Sequence, residues 1–215
     1  MPFADYNSRT EALLRGANAI LENDHFVTVT GNHSAGWIDK DAINPLSKVV
    51  SELGQLLAEA IAPWQGEIVC GPAVGGLIVA QWTGFHAKLP SVYVEHGPAH
   101  AHELAGRFIF RRGYEAWVKG KQVVVVDDVV NTGHSVRQTM EAVQKAGGTV
   151  VGIACYVDRG NVGAEDFGGV PYRYLLQWKI PSWPEGEAPA EVLVRPVNTK
   201  YAHGAEYLAK RAAKN

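Results

Sequence analysis

Two adjacent aspartates, Asp127 and Asp128, follow four consecutive valines in the stretch VVVVDDVVNTGHSVRQTM, residues 123 to 140. Carboxylates in contact repel each other, and burial makes the repulsion stronger. A partner that is cationic or rich in hydroxyl groups should therefore lie nearby. Such a pair can accept hydrogen bonds from sugar hydroxyls or hold a hydrated Mg²⁺. The alternative is that the two aspartates only end a strand and cap the following loop.

The residues after the pair predict an anion site. They read as a turn that runs into a helix, where free backbone N–H groups and the positive end of the helix dipole favour a phosphate. Two hydroxyl side chains can add donors. A phosphate in the turn and hydroxyls at the carboxylates together fit a sugar phosphate. The predicted phosphate turn consists of Asn131, Thr132, Gly133, His134 and Ser135.

A glycine-rich stretch, CGPAVGGLIVA at residues 70 to 80, follows another apolar segment. Small residues let backbone N–H groups approach a ligand closely, so this loop is a second candidate for anion binding. Its spacing matches neither the P-loop nor the dinucleotide-binding fingerprint. A glycine-rich packing turn is the alternative. The candidate binding residues in this loop are Ala73, Val74, Gly75 and Gly76.

The apolar pattern predicts the elements that hold these motifs in place. Several apolar segments read as strands and alternate with helical segments, which favours a parallel sheet flanked by helices. Ligands of such α/β sheets bind beyond the carboxyl ends of the strands, where both motifs fall. The predicted strands of this sheet cover residues 67–71, 90–95, 121–128 and 149–158.

The two ends of the chain predict further elements beside this sheet. A polar, histidine-rich segment at residues 96–120 interrupts the alternation of strands and helices. The remaining predicted elements are a helix (5–23), two strands (26–30 and 37–43), a helix between Pro45 and Pro63, a strand (172–178) and a last helix (205–213).

Composition limits the class of protein. The chain has 215 residues, of which 47% are hydrophobic and 20% charged, with a net charge of −2. These values fit a globular domain and suggest neither a nucleic-acid partner nor a membrane partner. No signal peptide or membrane span is visible, so we expect a cytoplasmic protein. Cys70 and Cys155 lie in apolar segments and are expected to be small buried residues.

The acidic pair and its turn closely resemble the signature of the type I phosphoribosyltransferases. The loop at residues 70–80 resembles the pyrophosphate loop of that family, in the GPAxGG form of the orotate phosphoribosyltransferases. The resemblance implies that Asp127 and Asp128 contact the ribose hydroxyls of phosphoribosyl pyrophosphate (PRPP), with Mg²⁺ as cofactor held through PRPP. It also implies that the turn binds the 5-phosphate, and that the protein is a homodimer.

The resemblance further implies an α/β fold, a parallel sheet flanked by helices with a small N-terminal hood. We expect a single domain over residues 1–215, with a core at about 45–170 and a hood at about 1–44 plus a C-terminal segment. The stretch HFVTVTGNHSAGWIDKDAI resembles the family's hood, and its Trp37 is expected to cover the base. The stretch VDRGNVG resembles the segment whose arginine pairs with the orotate carboxylate, which assigns that role to Arg159.

An arginine also suits this role on physical grounds, because its guanidinium matches a carboxylate with two parallel hydrogen bonds. A surface arginine is the alternative. The chain departs from the family where the mobile loop usually opens with an Arg-Lys pair, because Glu95 and His96 stand there. Asn131 replaces a usual threonine, and Val29 replaces an occasional lysine.

Other residues of the histidine-rich segment could supply the missing charge, namely His100, His102, Arg107, Arg111 and Arg112. We take His100, His102 and Arg111 as candidate catalytic residues beside the acidic pair. A metal site formed by these histidines with Glu95 and Glu103, or a merely solvated loop, are the alternatives.

The sequence therefore predicts an enzyme that transfers the 5-phosphoribosyl group of PRPP to a ring nitrogen, with orotate as the expected base. Two other functions stay open. One is transfer to a different base, and the other is a protein that senses PRPP or a nucleotide without turnover.

Overall fold

In the computed structural model, which describes residues 3–98, 106–160 and 162–213, helices and strands alternate through the middle of the chain. The helices are α1 (Phe3–Gly16), α2 (Ser47–Ile61), α3 (Gly75–Ala87), α4 (Glu115–Val118), α5 (His134–Lys145), α6 (Ala190–Leu193) and α7 (Gly204–Ala212). The strands are β1 (Ile20–Leu21), β2 (Phe26–Val27), β3 (His33–Ser34), β4 (Trp37–Ile38), β5 (Ile68–Pro72), β6 (Ser91–His96), β7 (Phe108–Ile109), β8 (Gln122–Val130), β9 (Thr149–Asp158), β10 (Tyr172–Gln177) and β11 (Ser182–Trp183).

A six-stranded sheet forms the centre of the protein, in the order β10-β9-β8-β5-β6-β7. All neighbours pair in parallel except β7, which runs antiparallel to β6 at the edge. The predicted α/β fold with a parallel sheet is confirmed. Parallel strands need crossover connections, and α3 and α5 supply two of them, which places the glycine loop and the predicted phosphate turn at one edge of the sheet.

Both faces of the sheet are covered, which explains the unbroken valine run. Val124 and Val126 face a cluster that includes residues of α2, whereas Val123 and Val125 face a cluster that includes residues of α5. This alternation is the period of two that a strand imposes. Cys70 and Cys155 are buried, free thiols, as expected.

Short strands outside the sheet form the region that we call the hood, residues 20–44 together with β11. β2, β3 and β11 make a three-stranded sheet in the order β11-β3-β2, and β1 pairs with β4. The predicted strands at residues 26–30 and 37–43 were too long, since each has only two paired residues. After β4 the chain turns into a short 3₁₀ helix at Lys40–Ala42, where the Asp39 side chain accepts a hydrogen bond from the Asp41 N–H.

The predicted helix at residues 5–23 was also too long. α1 ends at Gly16, and Asn18 adopts a left-handed conformation with φ of 54°, which an α-helix cannot continue through. Ile20 and Leu21 leave the helix and pair with β4 instead. The last helix, by contrast, lies where it was predicted, at Gly204–Ala212.

Within the part of the chain that the structure describes, no helix combines the length and the apolar character that crossing a membrane requires.

Candidate active site

The two aspartates lie inside β8 and not at its end, because pairing with β9 continues as far as Val130. They are 7% and 5% exposed. The Asp128 N–H donates to Asp127 Oδ1 at 2.9 Å, and the Val129 N–H donates to Asp128 Oδ1 at 2.6 Å. The cationic partner expected from the sequence is Lys40 of the hood, whose Nζ lies 3.1 Å from Asp128 Oδ2.

Burial sets the electrostatics of this cluster. It raises the pKa of Asp127 well above the ordinary value, and the charge of Asp128 raises it further. Burial also raises the pKa of Asp128, although Lys40 opposes that shift. For Lys40, burial acts to lower the pKa, but the Asp128 carboxylate outweighs it and the pKa is raised. The cluster therefore favours a ligand that brings hydrogen-bond donors or positive charge to the two carboxylates.

The glycine loop between β5 and α3 lies directly against these carboxylates. A Cβ at Gly75 would overlap Asp128 Oδ2 and would lie 3.1 Å from Lys40 Nζ. A Cβ at Gly76 would overlap the Pro72 ring and approach Asp127 Oδ1 to 3.1 Å. Only glycine fits at both positions, so the close approach of this loop to the acidic pair explains its sequence.

The other two residues of this loop lie at its outer side. The Ala73 N–H donates to the Val94 carbonyl of β6 at 2.7 Å, and the following Ala73–Val74 peptide bond is cis. Val74 is 75% exposed, so the backbone here is open to a ligand. The four predicted residues of this loop therefore lie together, next to Asp127 and Asp128.

The predicted phosphate turn leads from β8 into α5. It lines a small hollow of about 120 Å³, which also contains Asp127. Gly133 has φ of 72° and precedes the helix, whose first backbone bond runs from the Arg137 N–H to the Gly133 carbonyl. The backbone N–H groups of the first helical residues, which precede Arg137, have no acceptor within the helix and are therefore available to an anion. Asn131, Thr132, Gly133, His134 and Ser135 all line this hollow.

A larger cavity of about 460 Å³ adjoins the hollow, since Val129 and Asn131 line both. Arg159 follows β9, and its guanidinium carbon lies 4.8 Å from the centre of the Trp37 ring. The two predicted base-binding residues therefore form one cation–π pair on the wall of this cavity, which Asp128 also lines.

Arg159 is prepared for a ligand. Burial lowers its pKa, and its Nε atom is buried without a hydrogen-bond partner among the described residues. A buried N–H group that lacks a partner is costly, so an anion that accepts a hydrogen bond from Arg159 Nε would relieve that cost.

The structure does not bring Arg111 to the acidic pair. Its Nε lies 3.8 Å from Glu95 Oε1, and Arg112 Nε approaches the same oxygen at 3.5 Å. The His96 ring stacks on Phe108 with centroids 4.4 Å apart. His100 and His102 lie outside the described residues. The catalytic roles of Arg111, His100 and His102 therefore stay predictions.

Sequence reasoning missed several residues of the larger cavity. Lys40 lies between two acidic residues in the hood, and no pattern in the sequence shows that it reaches Asp128. The other missed residues come from the C-terminal segment and close one wall of the cavity. They are Lys200, Tyr201, Ala202 and His203. In the sequence analysis, only the expectation that a C-terminal segment belongs to the hood pointed there.

A cavity of about 610 Å³ exists elsewhere, between α2 and the end of α3, lined among others by Gln55, Glu59 and His86. It contains neither the acidic pair nor the Arg159–Trp37 pair. We place the active site at the smaller cavities because the buried acidic pair and the unpartnered Arg159 Nε lie there, and such groups indicate a site better than volume does.

Among the described residues, no cluster of three metal-ligating side chains occurs. The alternative metal site of the histidine-rich segment includes His100, His102 and Glu103, which lie outside those residues. Mg²⁺ is commonly bound through one or two carboxylates together with phosphate oxygens of a substrate. Asp127 and Asp128 fit that mode, and among the described residues Asp128 Oδ2 has no partner other than Lys40.

Comparison with known proteins agrees with this geometry. Residues 40–188 match the model of the phosphoribosyl transferase domain. The chain is 38% identical over 187 residues to the orotate phosphoribosyltransferase of Bartonella henselae, which spans 86% of this chain and 91% of the relative. It is 36% identical over 185 residues to the orotate phosphoribosyltransferase of Caulobacter vibrioides, spanning 85% of this chain and 90% of the relative.

Among solved structures, the fold is similar to the orotate phosphoribosyltransferase of Mycobacterium tuberculosis in complex with PRPP. The TM-score is 0.57 and the identity 25%, and the match covers 81% of this chain and 89% of the other.

Proposed function

The chain belongs to the phosphoribosyltransferase family, and from this premise we propose that it transfers the 5-phosphoribosyl group of PRPP to orotate. A ring nitrogen of orotate forms a bond to C1 of the ribose while the bond from C1 to pyrophosphate breaks. The observation that carries the proposal is the half-buried Arg159–Trp37 pair, which shares one cavity with Asp128. The relatives from Bartonella henselae and Caulobacter vibrioides support the choice of orotate.

The donor half of the site, which would bind PRPP, comprises the loop at residues 73–76, the acidic pair and the turn at residues 131–135. The N-terminus of α5 binds the 5-phosphate, and Asp127 and Asp128 accept hydrogen bonds from the ribose hydroxyls. The glycine loop presents backbone N–H groups to the pyrophosphate, next to the acidic pair. Mg²⁺ would be held between PRPP and these carboxylates, and it would neutralise part of the phosphate charge.

The acceptor half, which would bind orotate, comprises Trp37, Arg159 and residues 200–203. Arg159 receives the orotate carboxylate with two parallel hydrogen bonds, because its guanidinium fork matches that geometry. Trp37 supports the guanidinium by a cation–π contact, with the guanidinium carbon 4.8 Å from the ring centre. Asn131 and Val129 line both cavities, so the ring nitrogen and the ribose C1 can meet between the two halves.

Catalysis needs no covalent nucleophile in this arrangement. As pyrophosphate departs, positive charge develops on the ribose. The buried carboxylates lie where they can stabilise that charge. The remaining contribution is orientation of the two substrates in adjoining cavities. We propose His100, His102 and Arg111 as groups that neutralise the departing pyrophosphate.

The direct test measures pyrophosphate release from PRPP and Mg²⁺ with a panel of bases that includes orotate, uracil and purines. We expect turnover with orotate and little with bases that lack a carboxylate. Turnover with a neutral base alone would overturn the choice of orotate. Binding of PRPP without pyrophosphate release in any reaction would instead support a sensor.

The sensor alternative is retained for one observation. Glu95 stands where the family has a basic residue, and it approaches both Arg111 and Arg112. Those arginines are therefore less free to meet pyrophosphate. Glu95→Gln separates the two functions, because an enzyme restrained by Glu95 should release pyrophosphate faster in this variant, whereas a sensor should stay inactive.

The oligomeric state and location stay predictions. We propose a homodimer that acts in the cytoplasm, without a nucleic-acid or membrane partner. Light scattering of the purified protein checks the dimer.

A further inference from the structure

Two histidines in the hood, His25 and His33, are buried in a cluster that plays no part in the chemistry proposed above. They are 3% and 2% exposed. His25 Nε2 lies 2.6 Å from His33 Nδ1, and His25 Nδ1 lies 2.8 Å from the carbonyl oxygen of Arg195. The second nitrogen of His33, Nε2, is buried with no hydrogen-bond partner among the described residues.

This geometry fixes where the protons lie. A backbone carbonyl only accepts, so His25 Nδ1 must carry a proton and donate it to Arg195. In a neutral His25 ring, Nε2 is then an acceptor, and His33 Nδ1 must donate to it. His33 Nε2 is left as a bare acceptor. The chain of bonds therefore runs in one direction, from His33 through His25 to the C-terminal segment.

A further proton has no suitable place in this chain. Protonation of His33 Nε2 would create a buried cation with an unpartnered N–H group. Protonation of both rings would place two N–H groups against each other across 2.6 Å, which breaks the bond between the rings. The pair is therefore compatible with neutral rings and is disrupted by acid.

The surroundings agree with a neutral pair. Burial lowers the pKa of His33, and the charge that His25 would carry lowers it further. Glu185, which follows β11, acts in the opposite direction, but Arg211 of α7 pairs with Glu185 at 2.6 Å and opposes it. Tyr207 of α7 packs edge-on against the His33 ring at 5.3 Å. On the other side of the pair, the Asp24 side chain accepts a hydrogen bond from the backbone N–H of His25.

The segment that His25 holds is the one that closes the acceptor half. Next to the Arg195 bond, the Asn198 N–H donates to the His25 carbonyl at 2.7 Å, and the His203 N–H donates to the Val27 carbonyl at 2.9 Å. Lys200 and Tyr201 lie between these two points and donate their N–H groups to the Asn198 side chain at 2.9 Å. The cavity wall at residues 200–203 is thus fastened to the hood at His25 and Val27.

We infer that His25 and His33 are positioning residues for the acceptor half, which hold the wall at residues 200–203 in place only while both rings are neutral. The inference rests on the proposed function for its effect on orotate, but not for its effect on the segment. The direction in which stability changes with pH follows from the lowered pKa of His33. Stability from the neutral pair is fully present above the ordinary histidine pKa of about 6.5 and is lost as the pH falls through the lower folded value.

Hydrogen exchange tests the structural part without any substrate. In the wild-type protein we expect the protection of the amides of residues 195 and 197–203, relative to the amides of α5, to fall several-fold between about pH 8 and about pH 5.5, a range that brackets the ordinary histidine pKa. The His33→Asn variant keeps an N–H donor toward His25 but has no ring to titrate. Its segment should show a much weaker dependence on pH. His86→Asn, at a histidine that bonds to Ser51 away from the hood, is the matched control and should behave like the wild type.

Kinetics tests the functional part with the same three proteins. On acidification of the wild-type protein, the KM for orotate should rise more than the KM for PRPP, and this difference should shrink in His33→Asn but not in His86→Asn. Equal pH dependence of segment protection in wild type and His33→Asn would overturn the inference, even if orotate is turned over. Absence of orotate turnover would overturn the proposed function and leave the exchange result to stand on its own.

If His33→Asn does not fold, ¹⁵N shifts of the wild-type histidine rings still decide the matter. The Nδ1–H tautomer is expected for both rings at neutral pH, and the opposite tautomer or a charged ring at either position would contradict the proton assignment.

Discussion

The donor half of the candidate site is built mainly from continuous stretches of chain, whereas the acceptor half is assembled from distant ones. The acidic pair, the phosphate turn and the start of α5 follow one another within residues 127–135. The acidic pair lies on the nine-residue strand β8, and the turn and helix come directly after it. Trp37, Arg159 and the wall at residues 200–203 meet only in the folded protein. Trp37 lies on β4, and the hood strands β2, β3 and β4 have only two residues each. In the proposed function, phosphate and ribose are therefore bound at the edge of the central sheet, and selection of the base is left to a smaller unit that is fastened separately.

This difference predicts that single substitutions affect one substrate and spare the other. The largest effect is expected for Gly75→Val in the donor half. Even a Cβ at this position would overlap Asp128 Oδ2, so a branched side chain must displace the loop or the acidic pair. We expect no detectable PRPP binding in calorimetry with Mg²⁺. Gly186→Val is the control, because a Cβ there meets no atom within 4 Å. A folded Gly75→Val protein with normal PRPP affinity would remove the loop from the site.

Arg159→Ala is the corresponding change in the acceptor half. It leaves a carboxylate without its partner, and we expect a loss of roughly 2–4 kcal/mol, about 30- to 900-fold in kcat/KM for orotate. Arg159→Lys keeps the charge but not the fork, so its KM for orotate should rise less. PRPP affinity should hardly change in either variant. Arg173→Ala removes a different arginine–tryptophan contact, at 5.4 Å from Trp64, and should leave both substrates unaffected. Equal losses for PRPP and orotate would mean that the two halves are not separate.

The acidic pair should show a moderate effect, because the amide side chains that replace it keep some hydrogen-bonding capacity. For the double variant Asp127→Asn with Asp128→Asn, we expect PRPP binding at least tenfold weaker, about 1.4 kcal/mol. The melting temperature without ligand should rise slightly, since two buried like charges are removed. Glu141→Gln, on the exposed side of α5, serves as the control. Unchanged PRPP affinity would exclude the pair as the ribose site.

The smallest effect is expected where the two halves meet, at the ion pair of Lys40 with Asp128. The lysine side chain is 45% exposed, so solvent weakens the pair, and Lys40→Met should lower the free energy of unfolding by about 1 kcal/mol in urea denaturation. Lys121 and Glu67 form a shorter pair at 2.8 Å, in which the carboxylate side chain is 43% exposed, compared with 8% for Asp128. Lys121→Met should therefore cost less than Lys40→Met, despite the shorter distance. The reverse order would show that Lys40 does not link the hood to the core.

The contrast between the two halves also explains what sequence could predict. The sheet, its crossover helices and the motifs at its edge follow from long apolar runs and from turns between them. The C-terminal boundary of β8 was predicted too early, because two adjacent aspartates are typical of a strand end. In the structure, β8 continues to pair with β9 as far as Val130, which lies opposite Asp158. A carboxylate can stay inside a strand when a cation such as Lys40 reaches it from another element.

The acceptor half was harder to predict, because two-residue strands are too short to show any alternation of apolar and polar residues. Trp37 and Arg159 were found through their resemblance to a family, supported for Arg159 by its place after a strand. Lys40, Tyr201 and His203 belong to no local pattern. Their positions depend on hydrogen bonds between backbone groups of the hood and the C-terminal segment, which no sequence period encodes.

The pairing of β3 with β11 has a consequence for the order in which the protein is completed. The Ser34 hydroxyl donates to the Pro181 carbonyl across 147 positions of the chain, and His25 bonds to Arg195 across 170. Closing loops of that length costs more conformational entropy than forming the local unit of β8 and α5, so we expect the hood to gain protection last in refolding. During synthesis on the ribosome, the central sheet would therefore form first and bring together the proposed PRPP-binding residues. The wall at residues 200–203, which encloses the proposed base site, would form only afterwards.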